Sequence, residues 1–256
     1  ADDPLVLGTV MALIVLGGIG FFVWDDIAKN QWHFRNYTLQ TKVVLTTTAL
    51  LLFLPFLWFW LCEFVHWNGM STGKQALSAL FQTVSPRTAG FNNVDLNQLS
   101  GGSQMLTILL MLVGGSPSST AGGIKTTTLA ILLLALRAAF TSDHQVHCFG
   151  RRIPAQVITR TLVVSVLYGT LFLVASMALI QLEPVTMEEA LFECASAIGT
   201  VGLTLGITPE LGAISKGILI LLMYLGRVGG LTLVYAVSGT GKRLHYTLPE
   251  ESIGIG

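Results

Sequence analysis

Two uncharged apolar stretches limit what this chain can fold into. Leu5–Trp24 and Val43–Cys62 contain no charged residue, and a helix needs about 20 such residues to cross the hydrocarbon core of a bilayer. Only 11% of all residues are charged, whereas soluble domains carry about 25%. A chain so poor in charge has too few polar side chains to cover a globular surface. We therefore predict an all-α membrane protein with several spans.

Three more apolar segments follow. Thr161–Leu182 and Ala213–Ser238 are long enough to span. Between the second span and Thr161 lie two shorter apolar pieces, Met105–Val113 and Thr126–Leu136. Each is too short to span, and together they flank the Gly- and Ser-rich segment Gly114–Lys125. Two half-length pieces around such a segment are typical of a broken membrane helix. Within the second span, we expect Pro55 to bend the helix.

Other functions lack their residue patterns. The net charge of zero gives no basic face for nucleic acid. Three scattered cysteines (Cys62, Cys148 and Cys194) and five histidines without helical pairing indicate neither a disulfide framework nor a metal site. Lys125-Thr126 follows Ile124 rather than Gly, so the phosphate-binding loop motif is incomplete. We predict that the chain is not an enzyme and has no nucleic-acid partner.

The basic residues predict the orientation in the membrane. Loops rich in Lys and Arg lie on the cytoplasmic side, and such loops alternate here with acidic ones. The basic set is Lys29, Arg35, Lys42, Arg137, Arg151, Arg152, Arg160, Lys242 and Arg243. The opposite loops carry Glu63, Asp95, Glu183, Glu188, Glu189 and Glu210, with Lys74, Arg87 and Lys216. We therefore predict a multi-pass protein with a cytoplasmic C-terminus.

A repeat supplies the strongest functional signal. Ala79–Phe91 recurs as Ala190–Leu203, with one extra residue in the second copy. Each copy contains a short helical piece, Lys74–Val84 or Thr186–Ala197, and both pieces are too short to span and suit re-entrant segments. Each unit therefore reads as span, short helix, Thr-x-Gly turn and span.

The two Thr-x-Gly turns predict an ion path. Irregular backbone occurs at membrane depth only where protein or water shields it. Its carbonyl oxygens can replace the hydration shell of a monovalent cation. Gly90 and Gly202 end the two turns, where backbone angles that other residues resist are needed.

Four motifs resemble one known family. They are Ser85–Phe91, Gly114–Lys125 with Thr126-Thr127-Thr128, Ser196–Thr204 with Gly206, and Gly226–Leu231. Together they are similar to the potassium transporter superfamily of TrkH, KtrB and the plant HKT proteins. The closing Leu248–Glu251 is most similar to the KtrB branch.

The resemblance implies four repeats of span, pore helix, filter and span around a central pore. Residues 1–31 would be the last helix of the second repeat. Residues 32–145 would be the third repeat, with a broken span and gating loop, and residues 146–256 the fourth repeat and its cytoplasmic tail. The first repeat and the second filter have no counterpart here, so we expect the pore to need the N-terminal half of the same subunit.

The resemblance also implies which residues act. Backbone carbonyls of Arg87, Thr88, Ala89 and Gly90, and of Gly199, Thr200, Val201 and Gly202, would bind K⁺ in the filter. An intramembrane gate would lie below it. Its residues would be Gly114, Gly115, Ser116, Ser118, Ser119, Thr120, Gly122, Gly123 and Lys125, together with Arg227 from the last span.

The implied activity is K⁺ uptake by channel-like permeation, with Na⁺ as a candidate activator. The implied partners are membrane lipid, a second copy in a homodimer, and a cytoplasmic nucleotide-binding regulatory subunit of the RCK type. Nucleotide would act only through that subunit. The implied location is the inner (plasma) membrane of a bacterium.

Four charged residues near these motifs have open or expected roles. Arg87 is expected to point behind the filter and brace it through hydrogen bonds, because a guanidinium facing the path would repel a cation. Glu193 is either its counter-charge or part of a neighbouring network. Lys125 either anchors the gate or lies in a polar vestibule. Arg227 is expected to face the pore, since a charge at the bilayer centre costs about 2.5–3.5 kcal/mol, although bracing a helix interface is the alternative.

A secondary carrier with broken helices is the main alternative function. Carriers often bind substrate near buried carboxylates, and here only Glu193 approaches a span. The scarcity of acidic residues favours passive conduction along carbonyls. A purely structural membrane protein would leave the repeated turns unexplained.

Overall fold

The computed structural model describes residues 3–31, 33–63, 71–141, 145–230 and 232. Its helices are α1 (Pro4–Ile19), α2 (Phe21–Asn30), α3 (Leu39–Glu63), α4 (Thr72–Val84), α5 (Gly101–Leu112), α6 (Thr126–Phe140), α7 (Ala155–Leu182), α8 (Met187–Ile198) and α9 (Ala213–Val228). Strands β1 (His147–Cys148) and β2 (Arg151–Arg152) form one small antiparallel hairpin, and short 3₁₀ turns lie at Phe34–Asn36 and Leu96–Gln98. The predicted helical class is confirmed. The tail with Lys242, Arg243 and Leu248–Glu251 lies outside the described residues.

The second and fourth spans are confirmed as long apolar helices. Among the described residues, α3 and α7 are the two single helices long and apolar enough to cross a membrane. Large apolar side chains are exposed along both, such as Leu61 on α3 and Met177 on α7, which suits contact with lipid tails. The helix α3 is continuous through Pro55, which a helix in lipid tolerates when its freed backbone groups find other partners.

The prediction of one unbroken first span is wrong. The chain bends by 89° between α1 and α2, at Gly20, whose φ is +92°. A Cβ atom at this position would overlap the carbonyl oxygen of Pro117, so only glycine allows the close approach. Apolar character continues across the bend, which is why composition alone predicts a single span.

The interrupted third span is confirmed: α5 ends at Leu112 and α6 begins at Thr126. The fifth span is shorter than predicted within the described residues. The helix α9 ends at Val228, and Gly229 follows with φ +89°, a backbone angle that ends a helix. Residues 231 and 233–238 of the predicted span lie outside the description.

Both short helices of the repeat are confirmed as α4 and α8. The helix α4 packs on α3 and α1, and α8 packs among α5, α7 and α9. Ala190, Phe192, Cys194 and Ala195 of α8 are fully buried, so α8 forms the centre of the main apolar core. It begins with a capping box between Thr186 and Glu189, which satisfies backbone donors at the helix start.

A carboxylate closes each repeat in the same way. At the end of α3, Glu63 accepts hydrogen bonds from the backbone nitrogen and hydroxyl of Ser100, at 3.1 and 2.5 Å, just before α5. At the end of α7, Glu183 accepts from the nitrogen of Gly212 at 2.8 Å and the hydroxyl of Ser215 at 2.6 Å, at the start of α9. The first helix of each unit is thereby tied to the N-terminus of the last, where a negative charge is favourable.

Candidate functional site

The first Thr-x-Gly turn directly follows α4. Thr88 and Gly90 both have positive φ, of 62° and 76°, while Ala89 between them does not. The nitrogens of Ala89 and Gly90 both donate to the carbonyl oxygen of Ser85, at 3.2 and 3.3 Å. A left-handed angle at a threonine is uncommon, so the turn is held in an unusual conformation by these bonds.

The second turn repeats this geometry after α8. Thr200 and Gly202 have φ of 53° and 96°. The nitrogen of Val201 donates to the carbonyl oxygen of Ser196 at 2.9 Å, and the nitrogen of Gly202 donates to the Ser196 hydroxyl at 3.1 Å. The same positions of the two repeats therefore have the same unusual handedness.

The two turns lie against each other. A Cβ atom on Gly90 would be 3.3 Å from the Cα of Gly202 and would overlap the carbonyl oxygen of Val201. Within the part of the chain that the structure describes, none of the eight carbonyl oxygens of residues 87–90 and 199–202 accepts a hydrogen bond. The carbonyl oxygens of the two turns are therefore free of the described protein donors, and part of this pair of turns is accessible, since Gly202 is exposed.

The segment Gly114–Lys125 forms a loop whose base is closed by backbone bonds. The nitrogen of Gly114 donates to the oxygen of Ile124 at 2.9 Å, and the nitrogen of Ile124 donates to the oxygen of Leu112 at 3.1 Å. The loop is also bonded to α1 and α2, since Ser116 donates to Gly18 at 2.9 Å and Phe21 donates to Ser118 at 3.1 Å. These bonds give the loop a defined position at the bend between α1 and α2.

The loop touches the threonines of both turns. A Cβ atom on Gly122 would lie within 3.0 Å of three side-chain atoms of Thr200, and one on Gly114 would lie 3.4 Å from the Cγ2 of Thr88. A Cβ on Gly123 would lie 3.4 Å from the Cα of Gly199. The loop therefore packs directly against the threonine end of each turn.

Two cationic side chains hold the loop. The Lys125 ammonium donates to the carbonyl oxygen of Ala121 at 2.5 Å. The Arg227 guanidinium donates to the carbonyl oxygen of Thr120, and the nitrogen of Gly123 donates to the oxygen of Gly226 at 3.3 Å. The end of α9 and the loop are thus bonded to each other.

Arg87, which is expected to brace the first turn, keeps that role as a prediction. Its side chain is buried, but its Nε has no hydrogen-bond partner among the described residues. Glu193 belongs to a separate network: its carboxylate accepts from the hydroxyl of Thr204, from the nitrogen of Leu205 at 3.2 Å and from the hydroxyl of Thr208 at 2.6 Å. Of the two possibilities left open for Glu193, the neighbouring network is correct.

Sequence reasoning missed the bend as part of the site. Gly18, Gly20 and Pro117 bring α1, α2 and the loop into contact. The cluster Gly17-Gly18-Ile19-Gly20 was the available signal, because several glycines late in an apolar stretch indicate a close approach of backbones.

Comparisons with known proteins support one family. Residues 2–240 match the family model described as TrkH, cation transport protein. The chain is 41% identical to the potassium/sodium uptake protein NtpJ of Enterococcus hirae, over 96% of this chain and 56% of that protein. It is 37% identical to the Ktr system potassium uptake protein B of Vibrio alginolyticus, over 100% of this chain and 57% of that protein.

The fold matches as well. The crystal structure of the potassium transporter TrkH from Vibrio parahaemolyticus superposes with a TM-score of 0.77 at 21% identity, covering 94% of this chain and 53% of that one. The chain therefore belongs to the TrkH family of cation transport proteins, and it spans somewhat more than half the length of the relatives named here.

Proposed function

We propose that the chain forms part of a K⁺ uptake pathway in which the ion passes along the carbonyl oxygens of residues 87–90 and 199–202. The observation that carries this proposal is the pair of adjacent turns, in each of which the threonine and the final glycine have positive φ. The carbonyl oxygens of both turns accept no hydrogen bond from the residues that the structure describes. Carbonyl oxygens can replace the water around a monovalent cation.

The choice of K⁺ in this proposal is supported by the names of relatives that are similar over most of this chain. Two Ktr proteins are named as potassium uptake proteins, while NtpJ is named for potassium and sodium. We therefore propose K⁺ as the transported ion and Na⁺ as a second cation that activates or accompanies it.

The loop from Gly114 to Lys125 is proposed as the gate. It packs against Thr88 and Thr200 and is bonded to Arg227 and to the α1–α2 bend. A backbone segment in this place blocks a path that runs through the turns. Opening requires it to leave the threonines, which the bonds from α9 and α1 oppose.

The assembly is proposed from the family. The complete pore would contain the remaining repeats of the subunit, two subunits would form a homodimer, and a cytoplasmic RCK-type subunit would confer regulation by nucleotide. The chain would cross a bacterial inner membrane several times with its C-terminus in the cytoplasm, and residues 32–145 and 146–256 would be its third and fourth repeats.

The activity is tested by uptake of radioactive Rb⁺ into liposomes that contain the intact protein. We expect uptake that K⁺ suppresses much more strongly than Na⁺ does. Equal suppression by the two ions would contradict the K⁺ assignment. Uptake that depends on the gradient of a second ion would indicate a carrier instead.

The filter is tested by Gly202→Ser, with Gly206→Ser as its matched control. Both glycines have positive φ, and a Cβ on either meets open space, so the two substitutions impose a similar backbone strain. We expect Gly202→Ser to reduce the preference for K⁺ over Na⁺ and Gly206→Ser to leave it unchanged. Equal selectivity in the two variants would remove Gly202 from the filter.

The gate is tested by Arg227→Met, which removes the contact with the Thr120 carbonyl. Lys216→Met serves as the control, because Lys216 is on the same helix and donates to Pro209 outside the loop. We expect faster Rb⁺ uptake in Arg227→Met only. A rate equal to that of Lys216→Met would contradict a closing role for Arg227.

A further inference from the structure

An apolar cavity of about 670 Å³ lies between α3, α5 and α6. Its volume is in the range of ligand cavities, about 300–1,000 Å³. Its walls are almost entirely aliphatic and include Leu50, Leu54, Leu109 and Leu133. A cavity of this composition accepts a hydrocarbon chain and offers little to a polar solute.

One end of this cavity reaches the base of the loop. Val113 and Ile124 line it, and these two residues form the backbone bridge that closes the loop. The cavity therefore begins at the break between α5 and α6, and an occupant would contact the residues that close the base of the loop.

The other end adjoins a polar cavity of about 350 Å³. The two cavities share Leu134, Cys148 and Phe149 as wall residues. The polar cavity adds Arg137, Gln145 and His147, and the exposed Arg151 and Arg152 pair with the β1 strand beside it. Apolar walls thus give way to a polar end that holds Arg137 of α6, with Arg151 and Arg152 of β2 beside it.

The distance between the two ends matches one leaflet. From Thr126, where α6 begins, to Arg137 the helix rises about 16 Å at 1.5 Å per residue. Half of a hydrocarbon core is about 15 Å thick. A tail that reaches the loop base would therefore place its headgroup at the level of Arg137.

We propose that this composite cavity binds one anionic phospholipid, with an acyl chain between α3 and α6 and the phosphate at Arg137. Basic pockets between membrane helices at the interface attract anionic headgroups. Here the positive charge of Arg137 complements a phosphate, and the length of the apolar part matches an acyl chain of one leaflet. The cavity adjoins the base of the proposed gate at Ile124 but contains no residue of the two turns, so lipid binding is measured independently of K⁺ conduction.

The tail site is tested by native mass spectrometry of the intact protein in detergent with equal amounts of phosphatidylglycerol and phosphatidylcholine. Leu133→Trp fills the cavity, whereas Leu136→Trp is the matched control, since both leucines are similarly exposed on α6, at 56% and 55%, and only Leu133 lines the cavity. We expect Leu133→Trp to lose the retained lipid and Leu136→Trp to keep it. Equal retention in both would overturn the proposal.

Leu109→Trp repeats this test from α5, because Leu109 also lines the cavity. Size-exclusion chromatography identifies any variant that fails to fold. If one of Leu109→Trp and Leu133→Trp misfolds, the other still tests the cavity. Retention by a folded Leu109→Trp at the level of the unchanged protein would contradict a tail in this cavity.

The headgroup site is tested by Arg137→Gln, with Arg160→Gln as the charge-matched control that lines neither cavity. We expect Arg137→Gln to lower the preference for phosphatidylglycerol about fivefold, the effect of one interfacial cation worth about 1 kcal/mol, with retained phosphatidylcholine unchanged. An unchanged preference would overturn the anionic specificity. If inorganic phosphate displaces the retained lipid and Leu133→Trp has no effect on retention, the site binds a free anion, and the lipid proposal is overturned.

Discussion

The two Thr-x-Gly turns share their backbone shape but differ in what surrounds them. Glu193 of α8 stands at the repeat position of Gln82 in α4, since Phe192-Glu193 aligns with Phe81-Gln82. The Glu193 carboxylate accepts three hydrogen bonds from the segment that follows the second turn. Gln82 is fully buried, and neither its amide nitrogen nor its amide oxygen has a partner among the described residues.

The same contrast appears beside each turn. Gly199 fits where the carbonyl of Met111 comes too close for any Cβ, whereas its counterpart Arg87 is a large buried side chain with an unpartnered Nε. A buried polar atom without a partner costs about 1–3 kcal/mol. The second turn is therefore braced by its own repeat and by α5, while the first turn keeps polar groups that nothing in the described chain satisfies.

The largest effect is expected from Gly199→Ala. The new Cβ would lie closer than 3.0 Å to the carbonyl oxygens of Met111 and Ala195, both of them backbone atoms that cannot rotate away. We expect a loss of about 3 kcal/mol in the free energy of unfolding, measured by denaturant titration in detergent.

The control is Gly217→Ala on α9, where a Cβ meets open space and helix propensity favours alanine by about 1 kcal/mol. A Gly199→Ala variant as stable as Gly217→Ala would show that α5 and the second turn are not packed this closely, and the contrast between the turns would lose its main support.

Smaller changes in the free energy of unfolding are expected at Glu193 and Gln82, and the two positions should differ: a clear loss at Glu193 and little or no loss at Gln82. Glu193→Leu leaves the buried nitrogen of Leu205 without its acceptor and leaves the hydroxyls of Thr204 and Thr208 only each other, which should cost about 2 kcal/mol. Gln82→Leu removes only polar atoms that have no partner among the described residues, at similar volume, and should lower stability by about 1 kcal/mol or less, or raise it.

The same denaturant titration measures both variants. A loss at Gln82 as large as that at Glu193 would mean that Gln82 has a partner beyond the described residues, and the two turns would then be braced alike.

The smallest effect is expected at Glu183, which ties α7 to α9. Hydrogen bonds from Ser215 and from the nitrogen of Gly212 hold the pKa of the Glu183 carboxyl below its usual 4.5. Because the folded pKa is lowered, this stabilisation is present above the usual pKa and is lost as the pH falls through the folded value.

Melting temperatures of the unchanged protein and Glu183→Gln should therefore differ by a constant amount near neutral pH and converge as the pH falls below 4.5. A difference that persists at the lowest pH would assign the effect to packing rather than to the charge.

Much of the fold was predictable because its signals are local. Uncharged length predicted α3 and α7, and the Gly- and Ser-rich interruption predicted the break between α5 and α6. The repeat predicted α4, α8 and the position of both turns. The bend at Gly20 was missed because apolar residues continue through it, and its cause, the oxygen of Pro117, is distant in sequence.

The partners of the charged residues were not predictable in the same way. The sequence left Glu193 with two alternatives and expected Arg87 to form hydrogen bonds. Only the packing of α4 and α8 shows that Glu193 belongs to Thr204 and Thr208 and that the Nε of Arg87 has no described partner.

The sequence by itself determined the membrane class, the repeated unit and the residues of the two turns, because apolar length, glycine and threonine act through neighbouring residues. The tertiary structure decided that the two turns touch, that the loop lies against their threonines, and that buried polar atoms beside the first turn have no partner among the described residues while Glu193 beside the second has three. These features depend on atoms from distant segments meeting within a few ångströms, and hydrogen bonds and steric contacts have no effect beyond that distance.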